Sequence, residues 1–130
     1  MFLYILRGVP GSGKSTLAET LAPKDYICEA DEYHMVDGIY KFDFKNLGAA
    51  HQYCQNKCLQ LMSKFATPIV VSNTSTSESE VNTYLEMAKN NGYKTFVLTV
   101  ENWHNGKNQH NVPQESVSRM KNRLKESIKL

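Results

Sequence analysis

A chain of 130 residues with a net charge of +2, a pI near 8.4 and 41% hydrophobic residues has the size and composition of a single globular domain, here residues 1–130. It contains no apolar run of membrane-spanning length, and the opening MFLYILRG is too short for a signal peptide. The three cysteines, Cys28, Cys54 and Cys58, make no disulfide pattern, so the expectation is a cytoplasmic protein without a membrane partner.

The first apolar run, FLYIL, predicts a strand and leads directly into GVPGSGKST, which fits G-x-x-x-x-G-K-[ST] through Gly8, Gly13, Lys14 and Ser15. Closely spaced phosphate oxygens are met by successive backbone N–H groups only where the chain curls tightly, and Gly8, Gly11 and Gly13 are expected to permit that curl. A helix beginning near Lys14 adds its unpaired N–H groups and the positive end of its dipole. Lys14 suits the β- and γ-phosphates of ATP, and the Ser15 hydroxyl suits Mg²⁺, with Ser12 and Thr16 completing the nucleotide-binding loop. The bland alternative is a glycine-rich turn that binds nothing; the strand before it and the helix-forming TLAETLA after it argue against that. This helix is expected to stop near Pro23.

A second strand is predicted over Tyr26–Ala30, and it delivers Asp31 to the carboxyl edge of a parallel sheet, where ligands of such sheets sit. A carboxylate there can orient an incoming hydroxyl and accept its proton, so Asp31 is the expected general base; a helix cap or plain surface aspartate is the competing account. Glu32 is the weaker candidate because the adjacent side chain points elsewhere. The following stretch, YHMVDGIYKFDF, carries Tyr33, Tyr40, Phe42 and Phe44, which suit either base stacking or core packing.

A long helix is expected from about Lys45 to Phe65, with Leu47, His51, Cys54, Cys58, Met62 and Phe65 on one face. His51, Cys54 and Cys58 share a side of it, but the apolar continuation of that stripe favours sheet packing over a metal site. A third strand, Pro68–Val71, leads to Asn73, where phosphate-loop proteins commonly carry a Mg²⁺-holding carboxylate. Beyond the polar NTSTSESE, Ser77 and Glu80 have capping-box spacing and predict a helix that ends at Gly92. The fourth strand is Thr95–Val100, His104 and His110 read as loop histidines, and a last helix begins at Pro113 with Val117, Met120, Leu124 and Ile128 as its apolar stripe. The region from Trp103 onward holds Lys107, Arg119, Lys121, Arg123, Lys125 and Lys129 against only Glu115 and Glu126, a basic surface suited to phosphates or simply to water. The alternation of strands and helices predicts an α/β, P-loop NTPase-like, three-layer fold: about four parallel strands, helices on both faces, and a basic C-terminal lid or helix.

The blocks LYILRGVPGSGKSTLA, ADEYH, AHQYCQ, IVVSNTS and KNQHNVPQESVSRMKNRLKE follow one another in an order that resembles the polynucleotide 5′-hydroxyl kinase group of P-loop kinases, including kinase domains of the NEDD4-binding-protein-2 type and the N-terminal domain of the myelin cyclic-nucleotide phosphodiesterase. The resemblance implies that Lys14 and Ser15 bind ATP and Mg²⁺ and that Asp31 is the base toward a 5′-hydroxyl. It also implies acceptor contacts at His34 and Asn73 and lid contacts from Lys107 and Arg119. Three positions depart from the group's pattern. His34 stands where phage-type relatives carry an arginine, Asn73 opens the segment usually written D-T-N, and Lys107 replaces an arginine whose planar fork clasps two phosphate oxygens.

The function expected is ATP- and Mg²⁺-dependent transfer of a phosphoryl group to a hydroxyl, foremost the 5′-hydroxyl of a nucleic acid or nucleotide. Two alternatives stay open: a nucleotide-binding interaction module with weak or no kinase activity, and a small-molecule kinase acting on a nucleoside or sugar. A GTP switch is disfavoured, because no guanine-reading N-K-x-D run occurs.

Overall fold

The computed structural model describes residues 1–36, 39–40, 44–75, 77–101 and 114–127. Four parallel strands form its sheet: β1 (Phe2–Arg7), β2 (Ile27–Cys28), β5 (Ile69–Ser72) and β6 (Lys94–Thr99), in the spatial order β2-β5-β1-β6. Strands β3 (Met35–Val36) and β4 (Ile39–Tyr40) make a separate antiparallel pair inside the aromatic stretch, an element not among the expected ones. The helices are α1 (Lys14–Leu21), α2 (Leu47–Ser63), α3 (Glu78–Asn90) and α4 (Gln114–Ser127).

Strand β5 lies between β2 and β1, and its Ile69, Val70 and Val71 are completely buried, as a continuous apolar run in a parallel sheet requires. The strand period of two sends side chains to opposite faces. Leu3, Ile5, Ile69 and Val71 join Cys54, Cys58 and Met62 of α2 and Val81, Tyr84 and Ala88 of α3 in one cluster. Leu6 and Val70 join Ala18 and Ala22 of the α1 segment on the other face. The edge strand β6 is far less covered, with Phe96, Val97 and Leu98 exposed.

Helix α2 is shorter than its apolar pattern suggested. Its buried row is Ala50, Cys54, Cys58 and Met62, a strict i, i+4 line, whereas Leu47 is exposed and Phe65 is 72% exposed. Phe65 lies past the helix end with φ of 58°, and the Phe65 N–H to Met62 and Ala66 N–H to Leu61 bonds close a Schellman turn there. The turn directs the side chain outward, so the stripe ends at Met62. Helix α3 ends in the same way, with Gly92 at φ 75° and the Tyr93 N–H bonded to the Ala88 carbonyl. At its start Ser77 occupies the N-cap, yet the expected capping-box bond does not form; its hydroxyl pairs instead with that of Ser79 at 3.2 Å. In α4, Val117 and Leu124 are buried and Met120 is half-buried, while Ile128 and Pro113 lie outside the described residues.

Candidate active site

The loops after β1 and β5 emerge side by side at the carboxyl edge of the sheet. The connection from β1 leads to one flank, toward β2, and that from β5 leads to the other, toward β6, which makes the gap between them the crevice where such sheets bind ligands. One backbone and one side-chain bond fix the two loops together: the Gly8 N–H donates to the Thr74 carbonyl at 3.1 Å, and the buried Arg7 donates its Nε–H to the Ser75 carbonyl at 2.7 Å.

The phosphate-loop glycines do different jobs. Gly11 and Gly13 adopt φ of 84° and 99°, which L side chains rarely reach. Gly8 has no such φ and is needed for space instead: a Cβ there would lie 2.6 Å from Ser12 Oγ and 2.7 Å from the Val100 carbonyl oxygen. The Ser12 N–H bonds back to the Val9 carbonyl at 3.1 Å, which closes the curl. Gly13 caps α1 with no side-chain bond, so the first N–H groups of the helix carry no side-chain cap. Ser12 Oγ is buried and has no hydrogen-bond partner among the described residues. A curled loop with orphaned donors at a helix start fits a phosphate chain.

Lys14 donates its ammonium to the Val9 carbonyl at 3.2 Å. Burial lowers its pKa from 10.5 to about 8, against the opposing pull of Asp31 and Glu29, so the lysine and these two carboxylates occupy one electrostatic neighbourhood. Asp31 lies exposed in the 3-10 turn Ala30–His34 that follows β2. Its neighbour Glu32 turns toward α2, where it pairs with Lys57 at 3.0 Å and accepts the Tyr53 hydroxyl at 2.8 Å. The structure thus commits Glu32 to α2.

Asn73 is a strap. Its Oδ1 accepts the Ala30 N–H at 2.8 Å and its Nδ2 donates to Cys54 Sγ at 3.4 Å, so the amide joins the end of β5 to the turn carrying Asp31. His34 is 3% exposed and lies edge-on to Tyr33, which in turn tilts against Tyr53. Arg119 is exposed on α4 and donates to the Ser116 hydroxyl at 3.2 Å. Lys107, His104, His110 and Phe42 lie outside the described residues. Cys54 and Cys58 are core residues, and burial pushes the Cys54 thiol up to about 11. Beside Asn73 a pocket of about 340 Å³ opens between α2 and α3, lined by His51, Gln55, Ser75, Ser79, Glu80 and Thr83.

One residue that the sequence reading did not select stands inside the site. Glu29, in extended backbone just after β2, accepts the Ser15 hydroxyl at 3.3 Å. Burial raises the Glu29 pKa first, the nearby Glu32 and Asp31 add to it, and Ser15 and Lys14 oppose it.

Fold and site together define a P-loop kinase-like domain. A profile described as an AAA domain matches residues 3–127, and the chain belongs to that family. It is 35% identical to the human NEDD4-binding protein 2 over 130 aligned residues, which cover 92% of this chain and 7% of that relative's length. Among solved structures, a mutant of the APS kinase of Mycobacterium tuberculosis superposes with a TM-score of 0.56 at 14% identity, covering 95% of this chain and 96% of the other, a likeness of fold. No helix among the described residues is long and apolar enough to cross a membrane.

Proposed function

We propose that this domain transfers the γ-phosphoryl group of ATP to a hydroxyl, with a 5′-hydroxyl of a nucleic acid or nucleotide as the acceptor. The observation that supports the reading is the curled loop itself, with Gly11 and Gly13 at positive φ, no side-chain cap on α1 and Lys14 in its first turn, within electrostatic reach of Asp31. The loop glycines and the start of α1 would hold the phosphate chain, and Lys14 would neutralise its outer charge. Ser15 would hold Mg²⁺, which when bound supplies charge neutralisation across the β- and γ-phosphates. Asp31 takes the acceptor's proton as the hydroxyl oxygen bonds to phosphorus and the bond from phosphorus to the leaving oxygen breaks. The pocket of about 340 Å³ beside Asn73, a volume within the range of small-ligand sites, supports an acceptor site next to the end of β5.

The test is transfer of label from γ-labelled ATP to 5′-hydroxyl DNA, 5′-hydroxyl RNA, nucleosides and water, run beside Lys14→Ala and Asp31→Ala. Label on an oligonucleotide that disappears in both variants supports the proposal. Label on nucleosides alone moves the acceptor to small molecules. Nucleotide binding without any transfer favours the second reading, a nucleotide-binding interaction module. Asn73 favours that reading, since its amide brings no formal charge to the strand end where relatives of this fold keep a carboxylate.

A further inference from the structure

We propose that Glu29, not the residue at the end of β5, supplies the carboxylate of the divalent-cation site; this rests on the reading of the loop as a metal-nucleotide site. The neutral residue Asn73 stands at the position from which a carboxylate ordinarily helps hold the cation in phosphate-loop proteins. Its carbonyl oxygen is also committed elsewhere, to the Ala30 N–H at 2.8 Å, and its amide nitrogen to Cys54. The end of β5 is therefore spent on strapping the sheet edge.

Glu29 stands on the other side of that strap, one residue before Ala30, and Ser15 donates its hydroxyl proton to Glu29 Oε1 at 3.3 Å. A serine hydroxyl has one proton and two lone pairs. Giving the proton to a carboxylate leaves the lone pairs facing away from it, available to a cation, and holds the oxygen in one orientation. Charge points the same way. Glu29, Asp31 and Glu32 crowd one short segment, Lys57 is engaged by Glu32, and Lys14 is shared between Glu29 and Asp31. Among the described residues no group of three or more His, Cys, Asp or Glu side chains forms a cage that could hold a metal alone. A Mg²⁺ bound through the Ser15 hydroxyl, substrate phosphates and waters, with the Glu29 carboxylate holding that hydroxyl and one of the waters, needs no such cage. The departure at Asn73 is on this account a relocation of the negative charge from the end of β5 to the end of β2.

Glu29→Gln isolates the charge, because glutamine still accepts the Ser15 proton. The measurement is Mn²⁺ affinity of the protein complexed with a non-hydrolysable ATP analogue, read by electron paramagnetic resonance, together with affinity for the same analogue in EDTA. The expected result is a Mn²⁺ affinity about 10- to 100-fold weaker in Glu29→Gln, with metal-free nucleotide affinity equal or tighter, since a negative charge beside the phosphates has gone. Equal Mn²⁺ affinity in the two proteins overturns the proposal. So does an equal loss with and without metal, which marks Glu29 as merely structural, and so does a wild-type complex that holds Mn²⁺ no better than the free analogue. Failure of phosphoryl transfer to every acceptor leaves these binding results standing, so the kinase reading and the metal assignment fall separately.

Discussion

Asn73 and Ala30 are joined by a 2.8 Å hydrogen bond from backbone N–H to side-chain oxygen, and this bond sets the end of β5 against the turn that carries Asp31. Asn73→Ala removes the acceptor of that backbone N–H and the donor to Cys54 Sγ. Leaving a partly buried donor without its partner costs about 1–3 kcal/mol. Denaturant unfolding should show a loss in that range, and a nucleotide-binding constant that changes little would separate the strap from the phosphate loop.

Asp31→Asn keeps the size of the side chain and removes the base. Transfer should fall about 10²- to 10⁴-fold, the usual worth of a positioned general base, while calorimetric titration with ATP gives nearly the wild-type affinity. Transfer within threefold of wild type would strip Asp31 of its role.

Lys14 makes nucleotide binding pH-dependent in a definite direction. Its pKa is lowered to about 8 by burial, and a bound phosphate chain favours the charged form and raises it again. Binding near pH 8 should therefore take up protons, and the ATP affinity of the free protein should fall as pH rises above about 8. Titration in buffers of different ionisation enthalpy reads the uptake directly, and Lys14→Ala should abolish it. Folding stability moves oppositely. Between about 8 and the ordinary value of 10.5 the unfolded chain binds more protons than the folded one, so the contribution of Lys14 to stability increases with pH across that window.

Gly8→Ala tests the space argument. The added methyl meets Ser12 Oγ at 2.6 Å and the Val100 carbonyl at 2.7 Å, and the carbonyl is backbone that cannot swing aside. Overpacking of this kind costs about 1–3 kcal/mol. The thermal midpoint should drop and nucleotide affinity should fall with it, because the base of the loop is displaced.

Phe65→Gly should stabilise the protein. Phe65 holds φ of 58° while exposing 72% of its surface, so glycine relieves the left-handed backbone at little loss of packing. The gain expected is about 1 kcal/mol, measurable as a rise in the midpoint of urea unfolding at constant slope. A loss of stability would show that the exposed ring packs in solution.

The strands and helices near the site were legible because their signals are local. The four apolar runs became the four parallel strands within two residues at each end, Pro23 and Gly92 mark helix ends as expected, and the phosphate loop falls between β1 and α1. The stripe of α2 was read too long at both ends, since periodicity records which residues share a face and not how far the sheet beneath extends. The antiparallel pair β3–β4 is marked in the sequence by Asp37-Gly38 between Val36 and Ile39, a two-residue hairpin signal that the aromatic content of the stretch overshadows.

By itself the sequence determined the phosphate loop, the parallel α/β architecture and the candidacy of Asp31, since each depends on residue type and spacing along a few turns of chain. Only the tertiary structure decided what Asn73 and Glu29 do. Their partners, Ala30 and Cys54 for the one and Ser15 for the other, are brought within reach by strand order, and the pairing of β5 between β1 and β2 is a long-range fact that no local pattern contains.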